Sequence, residues 1–169
     1  MIITYYFVDN WYYECMKFLK LIASLGISFS AAALGSLATT PNIPTWYATL
    51  EKPFFNPPNW VFGPVWTLLY TLIGISLFLV WTHKTTKSKQ RAYVIFALQL
   101  LLNTLWSSVF FGAHQLWIGL AVILALVMST VYTIKLFRVH SKLGANLLFP
   151  YLAWISFATC LNIGIAVLN

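Results

Sequence analysis

Five apolar runs, at residues 18–38, 61–81, 93–112, 116–137 and 146–168, constrain this chain more than any other feature. A membrane-spanning helix needs roughly 20 consecutive apolar residues, and each run is about that long. Hydrophobic residues make up 60% of the 169, and charged residues only 8%, where a soluble domain carries about 25% charged residues. Almost nothing is left over for a soluble domain. The reading is an all-α membrane protein, a bundle of five transmembrane helices forming one domain over residues 17–169. Residues 1–16 form an N-terminal extension of unclear role, because Met16-Lys17-Phe18-Leu19-Lys20 reads like a start of its own. Lys17, Lys20 and the first apolar run also imitate a signal peptide. The run exceeds the roughly 7–15 residues of a signal core, which favours a retained helix.

The net charge of +7 could suggest nucleic acid, but its distribution argues against it. Lys17 and Lys20 precede the first run, Lys84, Lys87, Lys89 and Arg91 follow the second, and Lys135, Arg138 and Lys142 follow the fourth. With five spans these regions share one membrane side, which holds nine of the ten Lys and Arg residues, leaving Lys52 alone on the other. Lys/Arg bias in short loops sets orientation. The N-terminus and basic loops are therefore expected in the cytoplasm, with no nucleic-acid partner. Bacterial outer-membrane proteins of the usual kind are barrels, so a helical bundle points to the inner membrane. Cys15 and Cys160 fall too far apart in this topology to pair.

The connector between the first two runs, residues 39–60, is unusually long and stiff. The stretch from Pro41 to Pro64 contains six of the chain's seven prolines, together with Trp46, Tyr47, Phe54 and Phe55. Long loops without regular structure are usually lids, binding loops or disorder. Proline fixes φ and lowers the entropy lost on ordering, so the segment reads as a structured lid over an intramembrane pocket.

Polar and aromatic stripes mark the faces that would line such a pocket. Gln99, Asn103, Trp106, Ser107 and Phe110 fall within about 100° on a 3.6-residue helix. A side-chain amide in hydrocarbon costs free energy unless hydrogen-bonded, so this stripe faces inward. Interhelical hydrogen bonding and ligand contact both remain open for it. In the fifth run Tyr151, Trp154, Ala158 and Asn162 share a face, with Phe157 and Leu161 beside it. In the second, Phe62, Trp66 and Tyr70 do the same. Trp46, Trp60, Trp81 and Trp117 suit the interfacial belt, whereas Trp66, Trp106 and Trp154 lie deeper and suit the walls of a site for a flat apolar ligand.

Conventional catalytic chemistry is missing. The carboxylates are Asp9, Glu14 and Glu51, none within a span and none placed as an acid–base pair. No Cys/His spacing suggests zinc, no glycine loop suggests a phosphate site, and no metal is expected. His83, His114 and His140 read as interfacial, solvated residues rather than haem ligands. No intramembrane charge exists for an ion relay and there is no inverted repeat, which counts against ion-coupled transport.

These residues resemble the translocator protein family, also called tryptophan-rich sensory proteins or TspO/MBR. The match runs from about Leu21 to Asn169. It rests on Trp46-Tyr47, Leu50-Glu51-Lys52-Pro53, Pro57-Pro58, Trp66-Thr67-Leu68-Leu69-Tyr70, Gln99-Leu100-Leu101-Leu102-Asn103 with Trp106, and Pro150-Tyr151 through Leu161-Asn162. The resemblance implies a five-helix bundle, often a homodimer, with a pocket closed by the first loop. It implies ligands such as protoporphyrin IX, haem-like tetrapyrroles and other flat lipophiles, with no required cofactor. The positions matching the family's ligand-contacting motif are Tyr47, Pro57, Trp66, Asn103, Trp154 and Ala158; Trp106 and Phe157 join them by position. Bacterial members have been linked to light-dependent porphyrin breakdown, which would make Trp66 and Trp154 the candidate reactive pair. Transport of porphyrin or another lipophile is the remaining alternative. The animal cholesterol motif needs Tyr and a basic residue near the end of the last helix. This chain ends Ile163-Gly164-Ile165-Ala166-Val167-Leu168-Asn169, so a bacterial-type member without the steroid role is expected. Small residues on the first run (Ser28, Ala31, Ala32, Gly35, Ser36) permit close packing, either within a bundle or between two copies.

Overall fold

The computed structural model describes the backbone of residues 2–169 and the side chains from Glu14 onward. The side chains of residues 2–13 and the whole of Met1, which make up most of the expected N-terminal extension, lie outside the described residues. Regular structure among the described residues is helical: α1 (Ile2–Asn42), α2 (Trp46–Thr49), α3 (Phe62–Thr82), α4 (Gln90–Ser107), α5 (Leu116–His140), α6 (Lys142–Asn146) and α7 (Phe149–Leu168). Five stretches are long and apolar enough to cross a membrane: Glu14–Asn42, Asn59–Thr82, Gln90–Gly112, Leu116–His140 and Lys142–Leu168. They coincide with the five apolar runs, each extended at one end or both.

The extensions have local causes. α1 continues past Ala38 and takes in Pro41, although proline there lacks the N–H that would bond the Leu37 carbonyl. Side-chain donors reach carbonyls of this last turn: Asn42 Nδ2 donates to the Ala38 carbonyl at 2.8 Å and Thr45 Oγ1 to the Pro41 carbonyl at 2.9 Å. At the far end of α4 the helix widens into a π turn over Ser108–Gly112, closed by Ala113 N–H to the Ser108 carbonyl at 2.8 Å. His114 follows in the left-handed region at φ 58°. The fifth span begins as the short α6, whose N-cap Ser141 accepts from Gly144 N–H at 3.0 Å. It restarts as α7, with Pro150 in its first turn, where a missing N–H costs least.

Around the bundle, α1 packs on α3 and α4, α4 on α5, and α5 on α7, whereas α3 and α7 barely meet. Backbones approach closely between α1 and α3. A Cβ on Gly74 would stand 2.8 Å from Leu25 Cδ2 and 3.0 Å from Leu25 Cα, and Ser28 Oγ donates to the Tyr70 carbonyl at 2.7 Å. Gly35 lies against Ser107 of α4, where a Cβ would meet Ser107 Oγ at 3.2 Å. Ser28, Ala31 and Gly35 therefore pack α1 into its own bundle. Facing the other way, the spans present Leu37, Leu68, Leu101, Met128 and Val167, each more than half exposed. Polar residues turned inward and apolar ones turned outward describe a solute of hydrocarbon. The molecule is an integral, multi-pass membrane protein.

Candidate functional site

Where α3 and α7 barely meet, aromatic rings stand between them. Phe62 stands edge-on to Trp154 at 6.0 Å between centroids, and Trp66 edge-on to Tyr151 at 6.4 Å. The space they frame opens into a cavity of about 590 Å³, within the roughly 300–1,000 Å³ usual for small-molecule sites. Trp66 and Tyr70 of α3, Asn103 and Trp106 of α4, and Trp154 and Ala158 of α7 form its walls, and α1 closes it through Phe29, Ala32 and Ser36. Its roof is Tyr47 of α2 with Ile43 and Asn59. Among the described residues, no charged side chain lines it.

The amides in and behind these walls are largely engaged. The Tyr70 hydroxyl donates to Asn103 Oδ1, and Asn103 Nδ2 donates to the Tyr151 hydroxyl at 2.9 Å. Trp106 Nε1 donates to Asn162 Oδ1 at 3.2 Å, whose Nδ2 donates to the Leu116 carbonyl at 2.9 Å. Of the two roles open to the α4 stripe, interhelical bonding accounts for the amide atoms of Asn103, which is at the same time part of the cavity wall. Gln99, one turn before Asn103 on α4, is buried with neither amide atom partnered.

The roof is tied down at several points. Tyr47 is buried, and its hydroxyl donates to Asn56 Oδ1 at 2.8 Å. Burial pushes the phenol up to about 12, against a smaller downward pull from the Asn56 hydrogen bond, so it stays a neutral donor across physiological pH. Lys52 Nζ lies 4.9 Å from the Tyr47 ring centroid. Glu51 N–H donates to Asn169 Oδ1, and Asn169 Nδ2 donates back to the Glu51 carbonyl, both at 3.0 Å. Trp46 stacks on His114 at 4.2 Å and 13°. The loop is ordered by these contacts, as its proline content implies.

The TspO/MBR family model matches residues 24–168, nearly the whole described bundle. The chain belongs to the TspO/MBR family. It is 47% identical to the tryptophan-rich protein TspO of Archaeoglobus fulgidus, covering 91% of this chain and 99% of that one. It is 42% identical to the human translocator protein over 69% of this chain and 70% of that one. It is also 36% identical to the tryptophan-rich sensory protein of Cereibacter sphaeroides, over 82% and 87%.

Of the residues singled out in this TspO/MBR protein by sequence, the structure gathers Tyr47, Trp66, Asn103, Trp106, Trp154 and Ala158 around one cavity. Pro57 and Phe157 stand outside its lining. The Pro57 carbonyl accepts from Asn56 Nδ2 at 3.1 Å, behind the roof. Phe157 packs between Trp154 and Phe55, with ring centroids 5.6 Å and 6.3 Å away. Sequence reasoning passed over the α1 wall and Phe111. The α1 signal was present, since Ala32, Ser36 and Thr39 recur at helical spacing, but small residues read equally well as packing. Phe111 had none, because only the π turn brings both Phe110 and Phe111 inward. His140, expected to be solvated, is buried at the end of α5, close to Lys89, His83 and Lys87 of the connection between α3 and α4.

Proposed function

We propose that this protein is a membrane receptor that takes up a tetrapyrrole, such as protoporphyrin IX, or another flat lipophile in the aromatic cavity. The observation that carries the proposal is that Trp66 and Trp154 both line an uncharged space whose deepest amide, that of Asn103, is already bonded to protein. Such a site rewards apolar area rather than polar readout. Covering about 500 Å² of apolar ligand surface is worth about 12 kcal/mol. Association costs of about 4 kcal/mol or more still leave micromolar affinity. The carboxylates of a porphyrin would point to the roof end, where Thr40 and Asn59 lie in the lining and water is nearest. The name of the Cereibacter relative, a sensory protein, agrees with a receptor.

Photo-oxidation of the bound porphyrin is the second reading, and one observation favours it. The Trp66 ring lies 5.5 Å from that of Tyr70 and 6.4 Å from that of Tyr151, a cluster of oxidisable side chains against the cavity. A pigment that absorbs the light itself needs little acid–base help.

A tryptophan-fluorescence titration of detergent-purified protein with protoporphyrin IX, first dark and then illuminated, tests both. Saturable quenching is expected, weakened roughly tenfold by Trp66→Ala or Trp154→Ala through lost stacking and burial. Retained affinity in the folded double variant sinks the pocket assignment. New absorbing products under light that vanish in Trp66→Phe/Trp154→Phe protein would favour the second reading. Porphyrin flux across liposomes would instead fit the word translocator in the human relative's name.

A further inference from the structure

A second concavity, about 520 Å³, lies on the outer surface among α1, α3 and α4. Ile27 and Leu34 of α1, Leu77 and Trp81 of α3, and Tyr93 and Leu101 of α4 are among the residues that line it. From Tyr93 to Thr104, its extremes on α4, eleven helical steps cover about 16 Å. One leaflet of hydrocarbon is about 15 Å deep.

One end of this groove is cationic. Lys89 Nζ donates to the Trp81 carbonyl at 3.1 Å and also to the His83 carbonyl, which fixes its ammonium on the backbone of a groove residue. Lys20 precedes Ile27 and Leu34 by seven and fourteen residues on α1, so all three share a face. Lys20 and Lys89 are close enough to repel each other, and together with burial this holds the Lys89 ammonium below its ordinary value. His140, His83 and Lys87 join the same field, and the buried Nδ1 of His140 has no partner. The N-terminus of α4 at Gln90 adds partial positive charge beside Lys89. Of the two acidic side chains among the described residues, Glu14 pairs with Lys17 at 2.9 Å. Glu51 lies in the roof at the opposite membrane side. The cluster thus lacks a protein counter-charge among the described residues.

We propose that this groove is a binding site for one anionic phospholipid of the leaflet on the basic side, its phosphate held between Lys20 and Lys89 and an acyl chain laid along α1 and α4. Charge counts against the simplest rival. A two-fold dimer through this face, with its axis along the membrane normal, would bring two such cationic clusters together at the same depth. A zwitterionic lipid would fill the groove without neutralising them.

Native mass spectrometry of detergent-released protein, equilibrated with equal amounts of phosphatidylglycerol and phosphatidylcholine, tests the site. Phosphatidylglycerol should be retained in preference. Lys20→Ala and Lys89→Ala should each lower that preference by about fivefold, without changing phosphatidylcholine retention. Lys142→Ala, on the same membrane side but on α6 away from the groove, should leave the preference intact. Ala97→Trp, which fills the groove, should release both lipids while far-UV circular dichroism shows unchanged helix. Equal retention of the two lipids by wild type overturns the proposal. So does a Lys142→Ala effect as large as that of Lys20→Ala, or a dimer mass that Ala97→Trp dissociates.

Discussion

Asn103 shows how much one side chain decides here. It joins α3 to α7 through Tyr70 and Tyr151, partners 33 and 48 residues away in the chain. Replacing it by leucine keeps the volume roughly constant but strands two buried hydroxyls. Asn103→Leu should lower stability by about 1–3 kcal/mol in a detergent unfolding titration. The triple variant with Tyr70→Phe and Tyr151→Phe should recover most of that loss, since it leaves no orphaned group; a triple variant less stable than Asn103→Leu would show that packing dominates. Tyr47 makes a pH-dependent prediction. Its phenol is held at about 12 in the folded loop, against an ordinary value near 10. Its stabilising effect is therefore complete below pH about 10 and lost as the pH rises through about 12. Ligand release should accelerate over that window, and Tyr47→Phe should remove the dependence.

Among the elements, the roof is the one whose rigidity the sequence announced and whose anchoring it did not. Prolines stiffen the loop, but its position comes from Pro53 against Gly164 and from the Glu51–Asn169 pair of hydrogen bonds. A Cβ on Gly164 would stand 3.0 Å from Pro53 Cγ, so a larger side chain must push the roof away from α7. Gly164→Leu should speed ligand dissociation several-fold in stopped-flow fluorescence while leaving helix content unchanged. An unaltered rate would mean that the roof does not gate the cavity. The π turn at the end of α4 is the opposite case. It turns Phe110 against Trp46 and Gly119, and Phe111 towards the cavity, and no periodic pattern in the sequence foretells it.

At the scale of the whole molecule, charge and hydropathy act on different surfaces. The outward faces are apolar and set the depth of the bundle in the membrane. Nine of ten cationic side chains gather at the membrane side of residues 83–89 and set its direction. In a background carrying Cys15→Ser and Cys160→Ser, Thr86→Cys should react with a membrane-impermeant thiol reagent only from the cytoplasmic side. Phe54→Cys, at the fully exposed tip of the roof, should react only from the other. The reverse pattern would invert the topology. In either case the roof and the cationic cluster stay at opposite membrane sides, since Glu51 meets Asn169 and Lys89 lies near Lys20.

The sequence by itself determined the number of spans, their inward faces and the two membrane sides. Each follows from a local solvation cost: apolar runs seek hydrocarbon, amides at helical spacing must turn from it, and cations resist crossing it. It also marked Trp66, Asn103, Trp106 and Trp154, because an amide or an indole N–H deep in a span must turn away from lipid to find a partner. Only the tertiary structure decided which polar atoms satisfy one another, how α1 completes the cavity, and why Pro57 and Phe157 stand behind its walls rather than in them. Those outcomes depend on contacts between residues far apart in the chain. The gap between α3 and α7 is framed by four aromatic rings brought from two helices, a juxtaposition that only the tertiary structure makes.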